Sequence, residues 1–492
     1  MKIKMSLKDI CLFLIVYILS CAYLIRKVGI SFNSIFLEIL LFISYIYLYF
    51  VNKKNISYEK KFLATAIPVG LLFLFFIPLG NIPDERNHFA RAYEISQFHL
   101  ISEKNGDLVG RYLPSIFDEI GSNNSYNDII SLINYDDIKY DFISFNNTAL
   151  YSFVCYIPQS FGIFVGNLFK LPLIISGYLG RLMNFATWLI LLYLTIKTIP
   201  FGKKIIYLIS MFPITLQEAV SLSPDELTFA TSVLLFAVTL KFIYTESKIK
   251  TSDYCLISIL CIILSLCKII YLPLCLIIFL IPYQKFPSKK IKYIFIFSLA
   301  FFVIIINLSW LSFASGLLDS TSYSFSVNKN FVLHNPIKYL FIIVRTILYR
   351  GEPVIFGAFG NYLESFNVTI PYIFVWGNMF IFAESCKEMK NCKKIAFTKN
   401  GYYLLVFIVL SICLLMFTSL YLQWNVEYSG IIEGIQGRYF LPILYIIPFL
   451  FMKKSVKQKN DKNIFNENDF SMNNWLILQN VVALIFIFSI HM

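Results

Sequence analysis

A polar segment at residues 82–93 reads IPDERNHFARAY and directly follows an apolar run at 62–80. A helix that crosses a bilayer needs about 17–25 apolar residues, so this junction is predicted to be the end of a membrane span. Of the 492 residues, 58% are hydrophobic and only 14% are charged. Soluble domains carry about 25% charged residues, so the composition excludes a soluble enzyme, a disordered chain and a fibrous repeat. It predicts a multi-pass membrane protein.

The apolar runs predict an all-α integral membrane protein with about 13 transmembrane helices. The interrupted run at 254–284 is interpreted as a hairpin of two short spans. The run at 150–169 contains glycine and proline, and it is predicted to lie as a helix at the outer interface. The other predicted spans are 10–25, 32–51, 62–80, 173–199, 205–222, 226–244, 293–318, 402–424 and 475–490, with two weaker ones at 370–385 and 438–452.

Charge predicts the orientation of these spans. Lysine is concentrated in the segments 53–61, 285–292, 386–400 and 453–474, and cytoplasmic loops of membrane proteins are rich in Lys and Arg. The loop 81–149 has eleven acidic and five basic residues, a net charge of −6, and is predicted to lie outside. The N-terminus is then cytoplasmic. The overall charge of +13 is assigned to cytoplasmic loops, and no nucleic-acid partner is expected.

The chain is predicted to have three regions. Residues 1–61 form two N-terminal transmembrane helices, 62–452 form the main membrane domain, and 453–492 form a cytoplasmic linker and a final transmembrane helix. The outer loops of the main domain are predicted to carry interfacial helices, and they are 81–149, 319–369 and 425–437.

The segment 82–93 is also the first candidate site. Residues four and seven apart share a helical face, which puts Asp84, His88 and Arg91 on one side and Glu85 on the adjoining side. A carboxylate, an imidazole and a guanidinium together suit proton transfer and the binding of phosphate or a metal. The alternative is a helix N-terminus whose acidic residues interact with the helix dipole, although that role does not require His88 and Arg91.

A second candidate lies at residues 223–226, which read Ser-Pro-Asp-Glu. The serine, the proline and the glutamate fit a capping box that begins the span 226–244. Capping does not require Asp225. A role in a binding site and a role in starting the helix therefore both stay open for Asp225.

Two basic residues are predicted to meet an anionic group at the outer face. Lys268 lies within an apolar run, where a charge is costly unless it faces a cavity or a partner; the alternative is that it extends to the interface. Gln436 and Arg438 belong to the segment QGRYFLP at 436–442. Arginine suits bidentate contact with phosphate, and the alternative is an interfacial Arg–Tyr anchor.

These segments resemble a bacterial multi-pass membrane family, domain of unknown function 2142. Its PDExxHFxRAY hallmark matches residues 83–93, and its QGRYF hallmark matches 436–440. Weaker matches occur in the same order between them, and they are Tyr156-Ile157-Pro158-Gln159 with Gly162, Gly180-Arg181-Leu182, Ser223-Pro224-Asp225, and Lys268 with Tyr271-Leu272-Pro273.

The resemblance implies a membrane domain similar to the C-type glycosyltransferase fold of protein mannosyltransferases and aminoarabinose transferases. The implied activity is the transfer of a sugar from a polyprenyl-phosphate donor to a cell-surface or cell-wall glycan, at the outer face of the bacterial plasma membrane. The resemblance also allows a divalent metal at Asp84 and Glu85, whereas no nucleotide is expected because the chain has no P-loop and no dinucleotide fingerprint. The resemblance implies Asp84 as the catalytic acid or base and Glu85 as its neighbour. Together with the candidate sites above, the predicted catalytic residues are Asp84, Glu85 and His88, and the predicted substrate- and phosphate-binding residues are Arg91, Asp225, Lys268, Gln436 and Arg438.

Two other functions stay open. A flippase or transporter of lipid-linked glycans needs a polar path across the bilayer, whereas the ionisable residues here are concentrated at the outer ends of the spans, with Glu38 and Glu218 as the main exceptions. A polysaccharide polymerase or ligase of a different fold is expected to rely on external arginines more than on a carboxylate.

Overall fold

The computed structural model describes residues 7–54, 56–135, 139–317, 323–390, 397–452 and 467–492. Helices dominate this part of the chain. In chain order they are α1 (Leu7–Val28), α2 (Phe32–Lys53), α3 (Tyr58–Phe76), α4 (Glu85–Ser96), α5 (Ile116–Glu119), α6 (Tyr126–Ile133), α7 (Asn146–Ala149), α8 (Ile157–Leu168), α9 (Leu173–Thr198), α10 (Lys203–Ser210), α11 (Pro213–Ala219), α12 (Asp225–Tyr244), α13 (Thr251–Cys267), α14 (Lys289–Ser315), α15 (Tyr323–His334), α16 (Pro336–Ala358), α17 (Tyr372–Lys390), α18 (Lys399–Gln423), α19 (Leu441–Leu444), α20 (Ile447–Leu450) and α21 (Glu467–His491). Short 3-10 helices cover Phe153–Tyr156, Ile269–Leu280, Tyr283–Lys285 and Gly437–Phe440.

The structure is that of a multi-pass membrane protein, but the count of about 13 spans is not confirmed. Among the described residues, six helical segments are long and apolar enough to cross a membrane: Ser34–Lys53, Leu173–Thr198, Asp225–Tyr244, Lys289–Ala314, Lys399–Gln423 and Met472–His491. The apolar stretch of α12 is 83% buried, whereas that of α14 is 17% buried. Helix α12 is therefore central in the bundle, and α14 presents most of its apolar surface to the surroundings.

Two of the predicted spans are not continuous helices. The run 205–222 is divided between α10 and α11, which begins with Pro213. The run 438–452 is divided among a 3-10 helix, α19 and α20, and Pro442 and Pro448 lie in the first turns of α19 and α20. Proline has no backbone N–H and breaks the hydrogen-bond ladder of a long helix, so apolar composition alone overstated the length of these helices.

The interrupted run at 254–284 forms the predicted hairpin, but its two halves are not confirmed as membrane spans. It consists of α13 and the 3-10 helix Ile269–Leu280, and Lys268 joins them. The two open ends are held together, because the backbone N–H of Ile249 donates to the carbonyl of Lys285 at 3.1 Å. The turn at Lys268 therefore lies at the opposite end of the hairpin from Lys285.

The prediction of an all-α protein was wrong in the loop 81–149. Strands β1 (Glu103–Asn105), β2 (Leu108–Pro114) and β3 (Tyr140–Ser144) form an antiparallel sheet in the order β1-β2-β3. A second pair, β4 (Tyr362–Leu363) and β5 (Val368–Thr369), forms a short hairpin. These strands have two to seven residues, too few for a clear alternating pattern in sequence.

The predicted outer loop 319–369 also contains more structure than an interfacial connection. Within it, α16 has 23 residues and meets α15 at an angle of 108°. The two helices together are long and apolar enough to form one broken span or a re-entrant loop, and the number of candidate spans then rises to seven in the described part of the chain.

Two of the basic segments predicted to be cytoplasmic, 53–61 and 386–400, meet at one end of the bundle through Lys203 and Lys204. Lys203, at the start of α10, lies 3.6 Å from the carboxylate of Glu59 at the start of α3. Its neighbour Lys204 pairs with Glu388 near the end of α17 at 2.6 Å. The direction of α3 then places the segment 77–85 at the other end, although the side of the membrane on which each end lies stays a prediction.

Candidate functional site

Asp84 occupies an unusual position just before α4. Its backbone has φ +62° and ψ 9°, the left-handed region, which Asp and Asn tolerate better than most other residues. Its side chain is 37% exposed. One carboxylate oxygen accepts a hydrogen bond from the Asn147 amide, and the other accepts one from the Arg438 guanidinium, both at 3.2 Å. Left-handed residues that are not glycine cost about 1–3 kcal/mol and are concentrated at functional sites.

Arg438 is the centre of the cluster. Its guanidinium is buried and lies near three carboxylates, at 3.2 Å from Asp84, 3.5 Å from Glu218 and 3.8 Å from Asp225. The contact with Asp225 comes from Nε, whose N–H has no partner within hydrogen-bond distance in the described residues. The chain reaches this position through Gly437, where a Cβ atom would lie 2.0 Å from the backbone nitrogen of Ala358 in α16.

Lys268 enters the same cluster from the turn of the hairpin. Its ammonium pairs with the carboxylate of Asp225 at the start of α12 and lies over the rings of Tyr439 and Tyr151, at 5.1 and 5.6 Å from their centroids. The hydroxyl of Tyr271 donates to the carbonyl of Tyr439 at 2.7 Å, which ties the hairpin to the Arg438 segment. The hairpin turn thus brings a charge from an apolar run to a carboxylate partner.

His88 forms a buried wall of the cluster. Its Nδ1 lies 2.7 Å from the hydroxyl of Tyr156, and its ring stacks on Tyr151 with an interplanar angle of 9°. Burial lowers the pKa of His88 to about 4, although the carboxylates of Asp84 and Asp225 act in the opposite direction. His88 is therefore neutral at pH 7, and the positive charge of the site comes from lysine and arginine.

Glu85, the neighbour of Asp84, lies in a different environment. Its carboxylate accepts hydrogen bonds from the Nε–H of Arg181 at 2.7 Å and from the backbone N–H groups of Gly80 at 2.9 Å and Leu222 at 3.3 Å. Arg181 in turn donates to the carbonyl of Ile77 at 2.6 Å. This pair joins the end of α3 to α9 and to the loop before α12. Glu85 therefore positions the segment that carries Asp84.

The structure does not bring Arg91 to the cluster. Arg91 is fully buried and pairs with Glu94, three residues further along α4. It also donates to the hydroxyl of Ser102 at 3.1 Å and to the carbonyls of Leu100 and Tyr151 at 2.8 and 3.3 Å. Arg91 therefore supports the loop that carries Tyr151.

The predicted metal site at Asp84 and Glu85 does not fit the arrangement of these two carboxylates. Glu85 is engaged by Arg181 and by backbone N–H groups, so the two side chains do not face one space. No group of three or more His, Cys, Asp or Glu residues suited to a metal ion occurs in the described ranges. The metal stays a prediction without support from these contacts.

Sequence reasoning found five residues of the cluster: Asp84, His88, Asp225, Lys268 and Arg438. It also noted Glu218 as an acidic residue in an apolar run, which is the signal that identifies it, but did not assign it to the site. Asn147 lies in α7 and Tyr151 lies just after it, and neither residue carries a sequence signal. Gln436 lies beside Arg438 but lines a separate pocket.

Residues 67–447 match a family model described as predicted membrane protein (DUF2142). The match covers more than half of the chain and includes every residue of the cluster. It confirms the resemblance found in the sequence. No curated protein and no solved structure matches the chain.

Proposed function

The chain belongs to the DUF2142 family of predicted membrane proteins, and we propose that it is a membrane glycosyltransferase. It transfers a sugar from a polyprenyl-phosphate donor to a cell-surface or cell-wall glycan at the outer face of the bacterial plasma membrane. The observation that carries the proposal is the Asp84–Arg438 pair. An exposed carboxylate contacts a buried guanidinium whose Nε–H lacks a hydrogen-bond partner in the described residues.

Arg438 and Lys268 are the proposed phosphate-binding groups. A buried polar group without a partner calls for an explanation, and an anionic oxygen on the Arg438 Nε–H supplies one. Three carboxylates already lie near these two cations, so an incoming phosphate has to replace a carboxylate contact. The contact with Asp84 is the one that opens to solvent, since Glu218 and Asp225 are more buried.

Phosphate binding then releases Asp84 for proton transfer. The acceptor hydroxyl oxygen forms a bond to the anomeric carbon while the bond from that carbon to the phosphate oxygen breaks. Asp84 takes the hydroxyl proton, and the polyprenyl phosphate leaves with the bonding electron pair. Arg438 and Lys268 stabilise the charge that develops on the leaving phosphate. Attack opposite the leaving group inverts the anomeric centre, and the proposed step does not depend on a metal or a nucleotide.

A deletion strain complemented with wild type or Asp84→Asn tests the proposal. The surface polymers of each strain are compared for sugar composition and linkage, after equal membrane expression has been verified. We expect the deletion to lose a sugar or a linkage that the wild type restores and Asp84→Asn does not. If Asp84→Asn restores the polymer fully, Asp84 only starts a helix, and transport or a polymerase with other catalytic residues becomes the better explanation.

A further inference from the structure

A pocket of about 200 Å³ lies beside the cluster. Its walls come from α16, from the β4–β5 hairpin and from the segment 432–437. The last of these ends at Gly437, and the next residue is Arg438, which contacts Asp84. A residue that lines the pocket is therefore the immediate chain neighbour of a residue in the proposed reaction centre.

The pocket is small and electrically balanced. Pockets for drug-sized ligands have roughly 300–1,000 Å³, so this one suits a single ring. Its two charged lining residues, Arg350 and Glu433, neutralise each other through an ion pair of 2.7 Å. A phosphate has no unpaired cation to meet here. The lining favours an uncharged, polar occupant.

Two aromatic residues give the pocket a face for such a ring. Tyr362 and Phe366 form an edge-to-face pair with centroids 5.8 Å apart. Phe366 is 54% exposed and has φ +68°, which is rare for a bulky residue. Phe366 therefore has a strained backbone, and its aromatic ring is nevertheless exposed to solvent. The C–H groups of a sugar ring pack well on the electron-rich face of such an aromatic ring.

The β4–β5 hairpin is fixed to the segment that carries Asp84. The hydroxyl of Ser365 donates to the carbonyl of Asn81 at 2.9 Å, and the backbone N–H of Glu364 donates to the side chain of Gln217. Gln436 also lines the pocket, is half-buried, and its side-chain amide makes no hydrogen bond within the described residues. Its N–H and C=O groups are available to a hydroxyl-bearing ligand.

We propose that this pocket binds one neutral sugar ring of the glycan acceptor. Phe366 and Tyr362 pack on the ring, and Gln436 hydrogen-bonds its hydroxyls, so that the reacting hydroxyl points towards Asp84. The proposal rests on the proposed glycosyl transfer and deepens it. It separates an acceptor site in the pocket from a phosphate site at Arg438 and Lys268.

The test uses membranes of the deletion strain that contain the full-length wild type or a variant. The acceptor is the surface glycan fraction of the deletion strain, and the donor is its extract of lipid-linked sugars. Each is titrated while the other is saturating. The variants are Gln436→Ala and Phe366→Gly, since glycine removes the ring and also relieves the left-handed strain. Phe98→Gly is the matched control, because Phe98 is 78% exposed, has φ +64° and does not line the pocket.

We expect Gln436→Ala and Phe366→Gly to raise the half-saturating acceptor concentration about tenfold, which is the loss of one good hydrogen bond or packing contact. The half-saturating donor concentration and the maximal rate stay within about twofold, and Phe98→Gly behaves as wild type. If the donor value rises instead, or if neither value changes, the pocket does not hold the acceptor. If the wild type transfers no sugar, the proposed function itself fails.

Discussion

Asp84 and Glu85 are neighbours with the same functional group, yet the Glu85 carboxylate is buried and the Asp84 carboxylate is exposed. The Glu85–Arg181 pair is closed, with side-chain exposures of 1% and 0%, and its carboxylate is shared among a guanidinium and two backbone N–H groups. The Asp84–Arg438 pair is open on the carboxylate side, and on the cation side one N–H finds no hydrogen-bond partner in the described part of the chain. The closed pair is built to hold backbone segments together. The open pair retains capacity for a ligand.

The two residues also differ in backbone conformation, since Asp84 is left-handed and Glu85 is the first residue of α4. Because Asp84 has φ +62°, its side chain leaves the direction that the helix imposes on Glu85. Adjacent acidic residues in a sequence therefore do not have to form a catalytic pair. We expect the Asp84–Arg438 pair to act in the chemistry and the Glu85–Arg181 pair to act in stability.

The largest expected effect is on activity at the open pair. Asp84→Asn should lower the rate of sugar transfer by about 10²–10⁴, the usual range for loss of a general base. Asparagine tolerates the left-handed backbone, so the unfolding temperature in detergent should stay close to that of the wild type. Transfer of labelled sugar in membranes and thermal unfolding measure the two quantities. A large drop in the unfolding temperature of Asp84→Asn would show that the open pair is structural as well.

At the closed pair we expect a loss of stability. Glu85→Gln leaves the Arg181 charge buried without its partner, which costs about 3–5 kcal/mol. Unfolding by heat or denaturant in detergent measures the loss. Glu103→Gln is the control, because Glu103 pairs with Arg111 at the surface and exposed pairs contribute about 0–1 kcal/mol. Equal losses of unfolding free energy in the two variants would show that the Glu85–Arg181 pair stabilises the fold no more than an exposed pair does.

The cation of the open pair offers a finer test. Arg438→Lys keeps the charge but removes the Nε–H and the planar fork, so we expect about a hundredfold slower transfer and a higher half-saturating donor concentration. Arg86→Lys is a suitable control, since Arg86 pairs with the exposed Asp118 within the loop 81–149. An Arg438→Lys variant with wild-type kinetics would mean that the unpartnered Nε–H does not meet the donor.

The smallest expected effect is a pH dependence of stability. Burial lowers the pKa of His88 to about 4 from its ordinary 6.5, so the unfolded chain binds more protons between these values. The stability from neutral His88 is complete above pH 6.5 and is lost as the pH falls towards 4, by about 2 kcal/mol at pH 5. Unfolding of wild type and His88→Asn from pH 5 to 7.5 isolates this contribution. Parallel curves for the two proteins would contradict it.

The four charged residues of the cluster that were found in the sequence share one signal, a charge beside or within an apolar run. The signal is present at Asp84, Asp225, Lys268 and Arg438. Such charges are rare, because placing a charged side chain inside the bilayer costs free energy. The same signal also pointed to Arg91 and Glu85, which the structure uses elsewhere. Local sequence gives no information on which opposite charge lies near, since Arg181 is 96 residues away from Glu85 along the chain.

The sequence by itself determined that the chain is a multi-pass membrane protein of this family and that its unusual charges lie at the ends of apolar runs, because composition and motif spacing are local properties. The tertiary structure decided which runs are continuous helices, since proline breaks and helix bends depend on packing. It also decided that Arg438 meets Asp84 across 354 positions, and that the left-handed backbone separates Asp84 from Glu85. Ion pairs and pockets form between segments that are distant in the chain, and only the packed helices bring those segments together.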